Sequence, residues 1–491
     1  MITELDSCIT SSTVTDEKNY FLLPFRFERL DSTSELLVNE IGDYIILPAG
    51  SVERIVNRSL SQDEDTELFN KLLTNFFISE NPFPEYFRLL ETRYATKKSF
   101  LDSFTALHIV VITLRCNQDC HYCQVSKVRK SDSVTKYDME VETLYRTIDM
   151  IFKSPNPRLT IEFQGGEPLL RFDLIKEAVE YAKGKNEGEH RKLVFVICTN
   201  LNYANEEILK YCRDNNILIS TSLDGPEYLH NLNRPNAVYN SYLRTIEGIN
   251  LARSIVGRDR VSALMTTSKF SLEYPEAIID EYVNRGFNEI FLRELNPYGY
   301  AVKYEADVSY SIDEFLEFYK KALERIMEYN LKGIHISEVF TQLLLTKMLT
   351  PYPIGLVDLL SPSGIINNVL LYNHDGNIYP SDEARMLAEM GDRKFLLGNV
   401  YEDHHSLFKN EVVDEITSSW ATEYVAGCSD CALQNYCCAD PVRNYQVQGH
   451  SYGYRPVSDH CHKMKEIITY LVKRIRDDKN FERLVYQWIN N

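Results

Sequence analysis

Positive charge is scarce in this chain. Its 491 residues include 53 Lys and Arg against 71 Asp and Glu, a formal net charge of −18. A protein that grips a nucleic-acid backbone needs a surplus of cations, so no nucleic-acid partner is expected. The charge favours solubility and basic or neutral partners. Long apolar runs are also missing. None reaches the roughly 18 residues of a membrane span, so no membrane partner is expected. Met1 to Thr15 has no positive region followed by an apolar stretch, and the expectation is a cytoplasmic protein without a secretory signal. There is no internal repeat and no low-complexity tract. The rest of the composition, 44% hydrophobic and 25% charged, is that of a folded protein. At about 150 residues per domain the length allows roughly three domains.

Cysteine is not scarce, but it is uneven. Eight of the 11 fall in two clumps, Cys116/Cys120/Cys123 and Cys428/Cys431/Cys437/Cys438/Cys461. An odd number in a large, unexported chain argues against a disulfide framework and for metal binding. Cys198 and Cys212 fit no ligand spacing and read as small buried apolar residues.

The pattern along the chain divides it into three. Residues 1–104 hold short strands, FLLPFRF and LLVNEIGDYIIL, the latter turning at Gly42-Asp43, then helical pieces near Val52–Ser59 and Leu68–Phe77. Residues 105–345 alternate strand and helix. Six strands are expected, at Leu107–Leu114, Leu159–Phe163, Leu193–Ile197, Ile217–Leu223, Val261–Thr266 and Glu289–Leu292, with amphipathic helices between them. That implies an α/β class with a parallel sheet, flat or partly closed as a (β/α)6 barrel, and chemistry at the C-terminal strand ends. Residues 346–491 are loop-rich from about 363 to 461 and close on an amphipathic helix carrying Met464, Ile467, Ile468, Leu471, Val472 and Ile475.

The first strand runs straight into Cys116-Asn-Gln-Asp-Cys120-His-Tyr-Cys123. Three thiolates in one short loop, spaced C-x3-C-x2-C, leave one position of a metal centre open. This suits a reactive iron–sulfur cluster better than a closed structural site. A zinc site completed by His121 is the alternative. The second strand ends in Gln164-Gly165-Gly166-Glu167-Pro168, the third in Cys198-Thr199-Asn200-Leu201, and the fourth in Ser220-Thr-Ser222-Leu-Asp224-Gly225-Pro226, followed by His230, Asn231 and Arg234. The sixth ends in Leu292-Arg293-Glu294-Leu295-Asn296-Pro297-Tyr298-Gly299. Each is weak alone. In this order, each at a strand end, they make residues 107–300 resemble the radical S-adenosylmethionine (SAM) superfamily, with Leu201 where that family has a glycine.

The resemblance implies a cluster held by Cys116, Cys120 and Cys123, with S-adenosylmethionine on the fourth iron, split to a 5′-deoxyadenosyl radical. It implies a cofactor site made of Tyr122 near the adenine, Gly165, Gly166 and Glu167 at the methionyl amine, and Thr199, Asn200, Ser222, Asp224 and Arg234 toward the ribose and carboxylate. No side chain stands out as catalytic acid or base.

The C-terminal cysteines, Cys428-x2-Cys431-x5-Cys437 and Cys461, resemble the SPASM extension of peptide-modifying members. In its full form that extension has seven cysteines for two auxiliary clusters. Here Ser381 stands at the G-x4-C position, Pro441 at the last C-x3-C position, and no cysteine precedes Gly376 nearby. The missing positions belong to the first auxiliary cluster. The resemblance therefore implies one auxiliary 4Fe-4S cluster, on Cys428, Cys431, Cys437 and Cys461. A four-cysteine zinc site uses the same ligands, and Cys438 could replace Cys437. Asp382, Glu383 and Arg385 either line the vacated space or form a surface salt bridge. His460 and His462 are expected beside the ligands or on the surface.

A narrower resemblance covers most of the chain. PFRFERL, LLVNEIGDY, TLRCNQDCHYCQVS, IEFQGGEPLL, YPSDEARM and CSDCALQNYCCADP are similar to the HxsB maturases of the His-Xaa-Ser peptide-modification system. This implies a ribosomally made precursor peptide as substrate, a second radical maturase, HxsC, as partner, a low-potential electron donor, and a side-chain crosslink or oxidation as outcome. Residues 19–80 resemble winged-helix-like domains that bind a precursor as an added edge strand; a packing cap is the alternative. Maturation of a protein enzyme, as by anaerobic sulfatase maturases, or a non-catalytic zinc-binding role, would also use parts of this set.

Overall fold

The computed structural model describes residues 20–82, 87–129, 131 and 134–490. Met1–Thr15, read above for an export signal, lies outside them. The contacts divide the chain between Tyr94 and Ala95 into two compact units.

In the smaller unit, strands Phe25–Arg29, Ser34–Asn39 and Tyr44–Pro48 form an antiparallel meander. The second turn is fixed by Asn39, whose Oδ1 accepts from Ile41 N (3.1 Å) and Asp43 N (2.9 Å), while Gly42 takes φ 82°. Helices Ser51–Val56 and Thr66–Thr74 follow. Glu35 ties the sheet to the first of these, its carboxylate accepting from Gly50 N and Val52 N, both at 3.0 Å. Leu37, Ile45, Ile55, Phe69, Leu72 and Phe77 form the core. Phe25–Arg29 is a sheet edge, and Phe27 on it is 55% exposed.

In the larger unit the six expected strands are present: Leu107–Thr113, Arg158–Gly165, Lys192–Cys198, Leu218–Ser222, Val261–Thr266 and, split in two, Glu289–Ile290 and Leu292–Arg293. The first five and Leu292–Arg293 lie side by side in sequence order and pair in parallel, whereas Glu289–Ile290 pairs with Ser337–Glu338. Buried amphipathic helices such as Val141–Ile151 and Phe172–Asn186 connect them.

The sheet does not stop at six strands. Residues 363–461, expected to be mostly loops, supply Val369–Tyr372, which pairs in parallel with the first strand, Val369 opposite Leu107. Asn377–Tyr379 and Gly398–Asn399 then add antiparallel strands, completing a nine-stranded sheet. Val369–Tyr372 has only four residues, all apolar and all buried, between Asn-rich turns, too short to show a period. The same region holds helices Asp382–Glu389, Glu411–Thr417 and Pro441–Gln448. The stretch 311–348 is two helices, Ile312–Leu331 and Val339–Leu349, broken at Gly333. The closing helix, Asp459–Asp477, buries Met464, Ile467, Ile468, Leu471 and Val472, as its spacing predicts. Among the described residues no helix is long and apolar enough to cross a membrane.

Leu201, which stands where the resembling motif has a glycine, lies in the left-handed region that favours glycine, with φ 61°. The compensation lies opposite, in helix Ser241–Val256. A Cβ on Gly248 would stand 2.7 Å from Leu201 Cβ and 3.0 Å from its carbonyl oxygen. Gly248→Ala should thus destabilise the protein by about 1–3 kcal/mol through overpacking, against the usual helical gain of Ala over Gly. In a Leu201→Gly background the same change should become neutral or stabilising. Thermal unfolding of the four variants checks this; equal effects in both backgrounds would remove Leu201 as the cause.

Candidate active site

The C-terminal ends of the parallel strands surround one cavity of about 330 Å³. Cys116, Cys120, Cys123 and Tyr122 line it from the loop after the first strand. Gly165 and Gly166 come from the second strand, Thr199 and Asn200 from the third, Ser222 from the fourth, and Arg234 from beyond it. Glu167 and Asp224 do not reach it. The two acids lie behind the wall, each fully buried.

The thiols sit together, and burial pushes Cys120 up to about 12, with Cys123 and Asp224 adding to the rise and Arg234 and Lys127 opposing it. Cys116 is pushed up too, by burial first and then by Cys120. Metal-free, Cys116 and Cys120 stay protonated. A bound metal takes them as thiolates and releases the protons. The loop is backed by the end of the sixth strand. Tyr300 N donates to Cys123 O (2.7 Å), and Gly299, at φ 59°, has no room for a Cβ, which would meet Gln124 O at 2.5 Å.

The glycines of Gly165-Gly166 suit close backbone approach, and here the approaching backbone is that of the first strand. A Cβ on Gly165 would stand 2.1 Å from Thr113 O, and one on Gly166 2.4 Å from Arg115 O. Gly166 N and Glu167 N donate to those same carbonyls at 2.7 and 2.9 Å. Just behind, Asp138 accepts from Thr113 Oγ1 (2.5 Å), Arg115 Nη2 (2.6 Å) and Arg171 Nη1 (2.9 Å). Burial pushes its carboxyl up, but these donors outweigh it and hold it below its ordinary range.

Glu167 was expected at an ammonium. Its oxygens are spent on the protein: Oε1 accepts from Thr199 Oγ1 (2.7 Å) and Leu169 N (3.0 Å), Oε2 from Asn200 N (2.8 Å). It positions the Thr199-Asn200 turn, whose side chains do line the cavity. Asp224, expected toward the ribose, likewise accepts from Tyr122 Oη (2.7 Å) and Arg234 Nε (2.8 Å). The guanidinium lies 5.3 Å from the Tyr122 ring centre. One buried carboxylate thus fixes both an aromatic and a cation of the wall.

Several wall residues lie outside the cofactor site that the motifs imply. Glu162 and Cys198 line the cavity from adjacent strands, with Arg293, Asp382 and Met386. Cys198 is therefore not the buried apolar residue expected, whereas Cys212 is, 1% exposed. The signal was present: a charged residue inside an apolar strand, Ile161-Glu162-Phe163, belongs to the face that alternates away from the core. Gln164 Nε2 donates to Glu162 Oε1 at 2.6 Å. Burial raises the Glu162 carboxyl, and burial and Glu162 raise the Cys198 thiol, so both stay protonated more readily than usual.

Asp382, Glu383 and Arg385 form no surface salt bridge. Arg385 is fully buried, with Nη1 donating to Val125 O and Nη2 to Asp382 Oδ1, both at 2.9 Å. Asp382 faces the reaction cavity and Glu383 a neighbouring one.

In the C-terminal group, burial pushes Cys437 up to about 12, with Cys428, Cys461 and Cys431 adding to it and Lys347 opposing. Cys461 stands in the first turn of Asp459–Asp477, its N–H on the capping Ser458 Oγ at 3.2 Å. Cys438 is 3% exposed and lines the cavity of Glu383. His460 Nε2 lies 3.8 Å from Cys437 Sγ and 3.7 Å from Cys438 Sγ, and His462 pairs with Asp313 at 2.7 Å. The two positions where the SPASM pattern has cysteines now start helices. Ser381 caps Asp382–Glu389, accepting from Ala384 N (3.3 Å), and Pro441 opens Pro441–Gln448, behind the capping Asp440.

Residues 110–282, the span that builds most of this cavity, match the model of the Radical SAM superfamily. Over that span the chain is similar to radical SAM domains. Among relatives, the cysteine-type anaerobic sulfatase-maturating enzyme of Clostridium perfringens (strain ATCC 13124) is 24% identical over 271 residues, 54% of this chain and 71% of that protein. Among solved structures, anSMEcpe with bound AdoMet superposes with a TM-score of 0.61 at 18% identity, over 78% of this chain and 99% of the other. Streptococcus suis SuiB bound to precursor peptide SuiA gives 0.51 at 13% identity, over 90% and 99%. At these identities the two structures report a shared fold.

Members of the radical SAM superfamily bind a 4Fe-4S cluster and S-adenosylmethionine, and the donor set here fits both. Three adjacent thiols open onto a polar cavity of ligand size. Among the described residues no three His, Cys, Asp or Glu side chains close on one point as ligands of a single ion do. Cluster ligands, each on its own iron, stand farther apart.

Glu167 generates a pH prediction. Burial raises its carboxyl from an ordinary 4.5 to about 7, over the lowering effect of Thr199, Asn200 and Leu169. The folded protein therefore holds this proton more tightly than the unfolded chain. The associated stability is complete below 4.5 and is lost as pH rises toward 7, by up to about 1.4 kcal/mol per pH unit. Glu167→Gln should flatten that slope. It should also cost about 1–3 kcal/mol, because the amide nitrogen faces a donor, Asn200 N–H or Thr199 Oγ1. Denaturation midpoints of both proteins between pH 5 and 8 decide it; parallel pH profiles would refute the assignment.

Proposed function

We propose that the protein is a radical SAM maturase of a ribosomally made peptide, of the His-Xaa-Ser precursor type associated with the HxsB family. The observation that carries this is the cavity itself: three thiols, the Gly165-Gly166 and Thr199-Asn200 turns, Tyr122 and Arg234 converge at the strand ends. When bound, the cluster and S-adenosylmethionine supply a 5′-deoxyadenosyl radical that removes a hydrogen atom from the substrate. Cys116, Cys120 and Cys123 would hold the cluster. Tyr122 and Arg234, locked by Asp224, give the cofactor a rigid wall, and Thr199 and Asn200, locked by Glu167, another. Asp382, braced by Arg385, puts a carboxylate on the cavity wall that can accept a proton from the substrate at Oδ.

The peptide part of the reading draws on the fold likeness to SuiB, whose structure includes its precursor, and on the exposed edge strand Phe25–Arg29, which offers backbone pairing to an extended segment. Cys428, Cys431, Cys437 and Cys461 would hold one auxiliary 4Fe-4S cluster, a fitting acceptor for the second electron released when a crosslink or oxidation completes. A low-potential donor and a companion maturase, HxsC, complete the scheme. The likeness to the sulfatase-maturating enzyme supports a second reading, maturation of a protein enzyme.

Anaerobically purified protein should hold about eight irons per chain. Cys116→Ala should leave about four and abolish 5′-deoxyadenosine formation, while Cys437→Ala should leave about four and retain it. Zinc in place of the second set would overturn the auxiliary cluster, and zinc alone the enzyme. With a His-Xaa-Ser precursor, mass spectrometry should show loss of a hydrogen pair; an unmodified precursor beside a modified sulfatase peptide would favour the second reading.

Phe27→Glu should weaken precursor binding about tenfold, ~1.4 kcal/mol, and leave uncoupled cleavage of S-adenosylmethionine unchanged. Unaltered precursor affinity in fluorescence anisotropy would point to binding elsewhere.

A further inference from the structure

A second cavity, of about 80 Å³, lies next to the reaction cavity and shares one wall residue with it, Arg293. It occupies the neighbourhood of the two converted cysteine positions: Glu383 is two residues past Ser381, and Asp440 immediately precedes Pro441. Asp358 is exposed at its mouth, and Glu383 and Asp440, partly exposed, stand on its walls. Deep inside is Tyr298, 1% exposed, whose hydroxyl has no hydrogen-bond partner.

The charges of this pocket do not balance. Four carboxylates, Asp358, Glu383, Asp440 and Glu294, face three cations, Arg293, Arg443 and Lys463. Glu294 is already bracketed, by Arg443 and by Lys463 Nζ at 2.8 Å, so two of the three cations are committed to it. Asp440 Oδ1 accepts from Val442 N and Arg443 N as a helix cap. Three carboxylates and an unpaired hydroxyl are left with Arg293 as their one uncommitted cation. Carboxylates packed this way favour a positive ligand, and an unpaired buried hydroxyl favours one that can donate or accept. The side chains do not close tightly enough for a metal ion. The space suits a planar or compact organic cation of a few heavy atoms.

We propose that this pocket receives a cationic side chain of the polypeptide substrate, an ammonium, guanidinium or imidazolium, and so sets which residue lies in the adjoining reaction cavity. The inference rests on the peptide reading above for the identity of the ligand, though not for its charge. Carboxylates at the mouth and walls take the cation, and Tyr298 Oη pairs with its N–H or with a peptide group. A neutral substituent of the same size would leave those acids uncompensated.

The test uses full-length, cluster-loaded protein and two probes, n-butylammonium and methylguanidinium, with butan-1-ol as the neutral control. Calorimetry should find the cations bound with millimolar Kd and butan-1-ol not bound. The double variant Glu383→Gln/Asp440→Asn should weaken cation binding at least about tenfold, and Asp358→Asn, at an exposed site that leaves folding intact, about threefold. Uncoupled 5′-deoxyadenosine formation, checked in each variant, reports whether the reaction cavity is preserved. Cations that bind none of these proteins, or all of them equally, overturn the pocket. Charge-dependent binding in a protein that never modifies a peptide would keep the pocket and remove the peptide reading. Modification of a peptide with unchanged KM in the double variant would do the reverse.

Discussion

The approach of the second parallel strand to the first fixes everything downstream of it. At Gly165 and Gly166 the two backbones come so close that a single carbon atom would not fit, and the gap is closed by N–H donation to Thr113 O and Arg115 O. The first strand leaves this junction as the cysteine loop, so the positions of Cys116, Cys120 and Cys123 are set by a main-chain contact rather than by side-chain packing. Asp138, clamped by two arginines and Thr113, holds the same corner from behind. Main-chain contacts of this kind tolerate no rotamer changes, which suits a site whose ligands must be held in place before a cluster binds.

The acids nearest the cavity follow a related logic. Glu167 and Asp224 place their carboxyl groups one layer behind the wall, each aimed at two wall residues. A buried carboxylate with several donors is costly to remove and tolerates little displacement of its partners. Placing such groups behind Tyr122, Arg234, Thr199 and Asn200 makes those side chains the fixed surface a ligand meets. In this arrangement the sequence motifs describe a frame more than a contact list.

That distinction marks what was legible in the sequence. Six strands, their order, the cysteine loop and its location at strand ends all follow from periodicity and spacing, because each is encoded locally. Val369–Tyr372 was not legible: four apolar residues carry no period, and their partner, Leu107–Thr113, is more than 250 residues away. Nor could the direction of Glu167 or Asp224 be read. Their residue type suits an ammonium or a hydroxyl as well as the backbone amides and side chains they actually hold. Glu162 and Cys198 could have been found, since polar residues on the inner alternation of a core strand mark a cavity. Arg385 misleads for another reason: a charged residue three places from an Asp is usually exposed, and here it is buried with Val125 O and Asp382 accepting from its guanidinium.

Ser381 and Pro441, which stand where the SPASM pattern has cysteines, sit at loop ends that need their own support. This chain settles the loop ends with helix starts, Ser381 as a cap and Asp440-Pro441 as a cap and first turn. The pocket beside them it lines with charge. Burial alone would raise Glu294, but Arg443 and Lys463 outweigh burial and hold it ionised. Such a triad is stable only while complete, because removing one member strands a buried charge. Glu383 differs: burial raises it to about 8, and Asp358 and Asp440 push it the same way, with Arg293 the one opposing neighbour. A structure that needed only to fill the space would have used apolar side chains, which pack there at no electrostatic cost. Here an acid raised first by burial and then by its acidic neighbours stands beside an unpaired tyrosine hydroxyl, an arrangement that a cation entering the pocket would relieve.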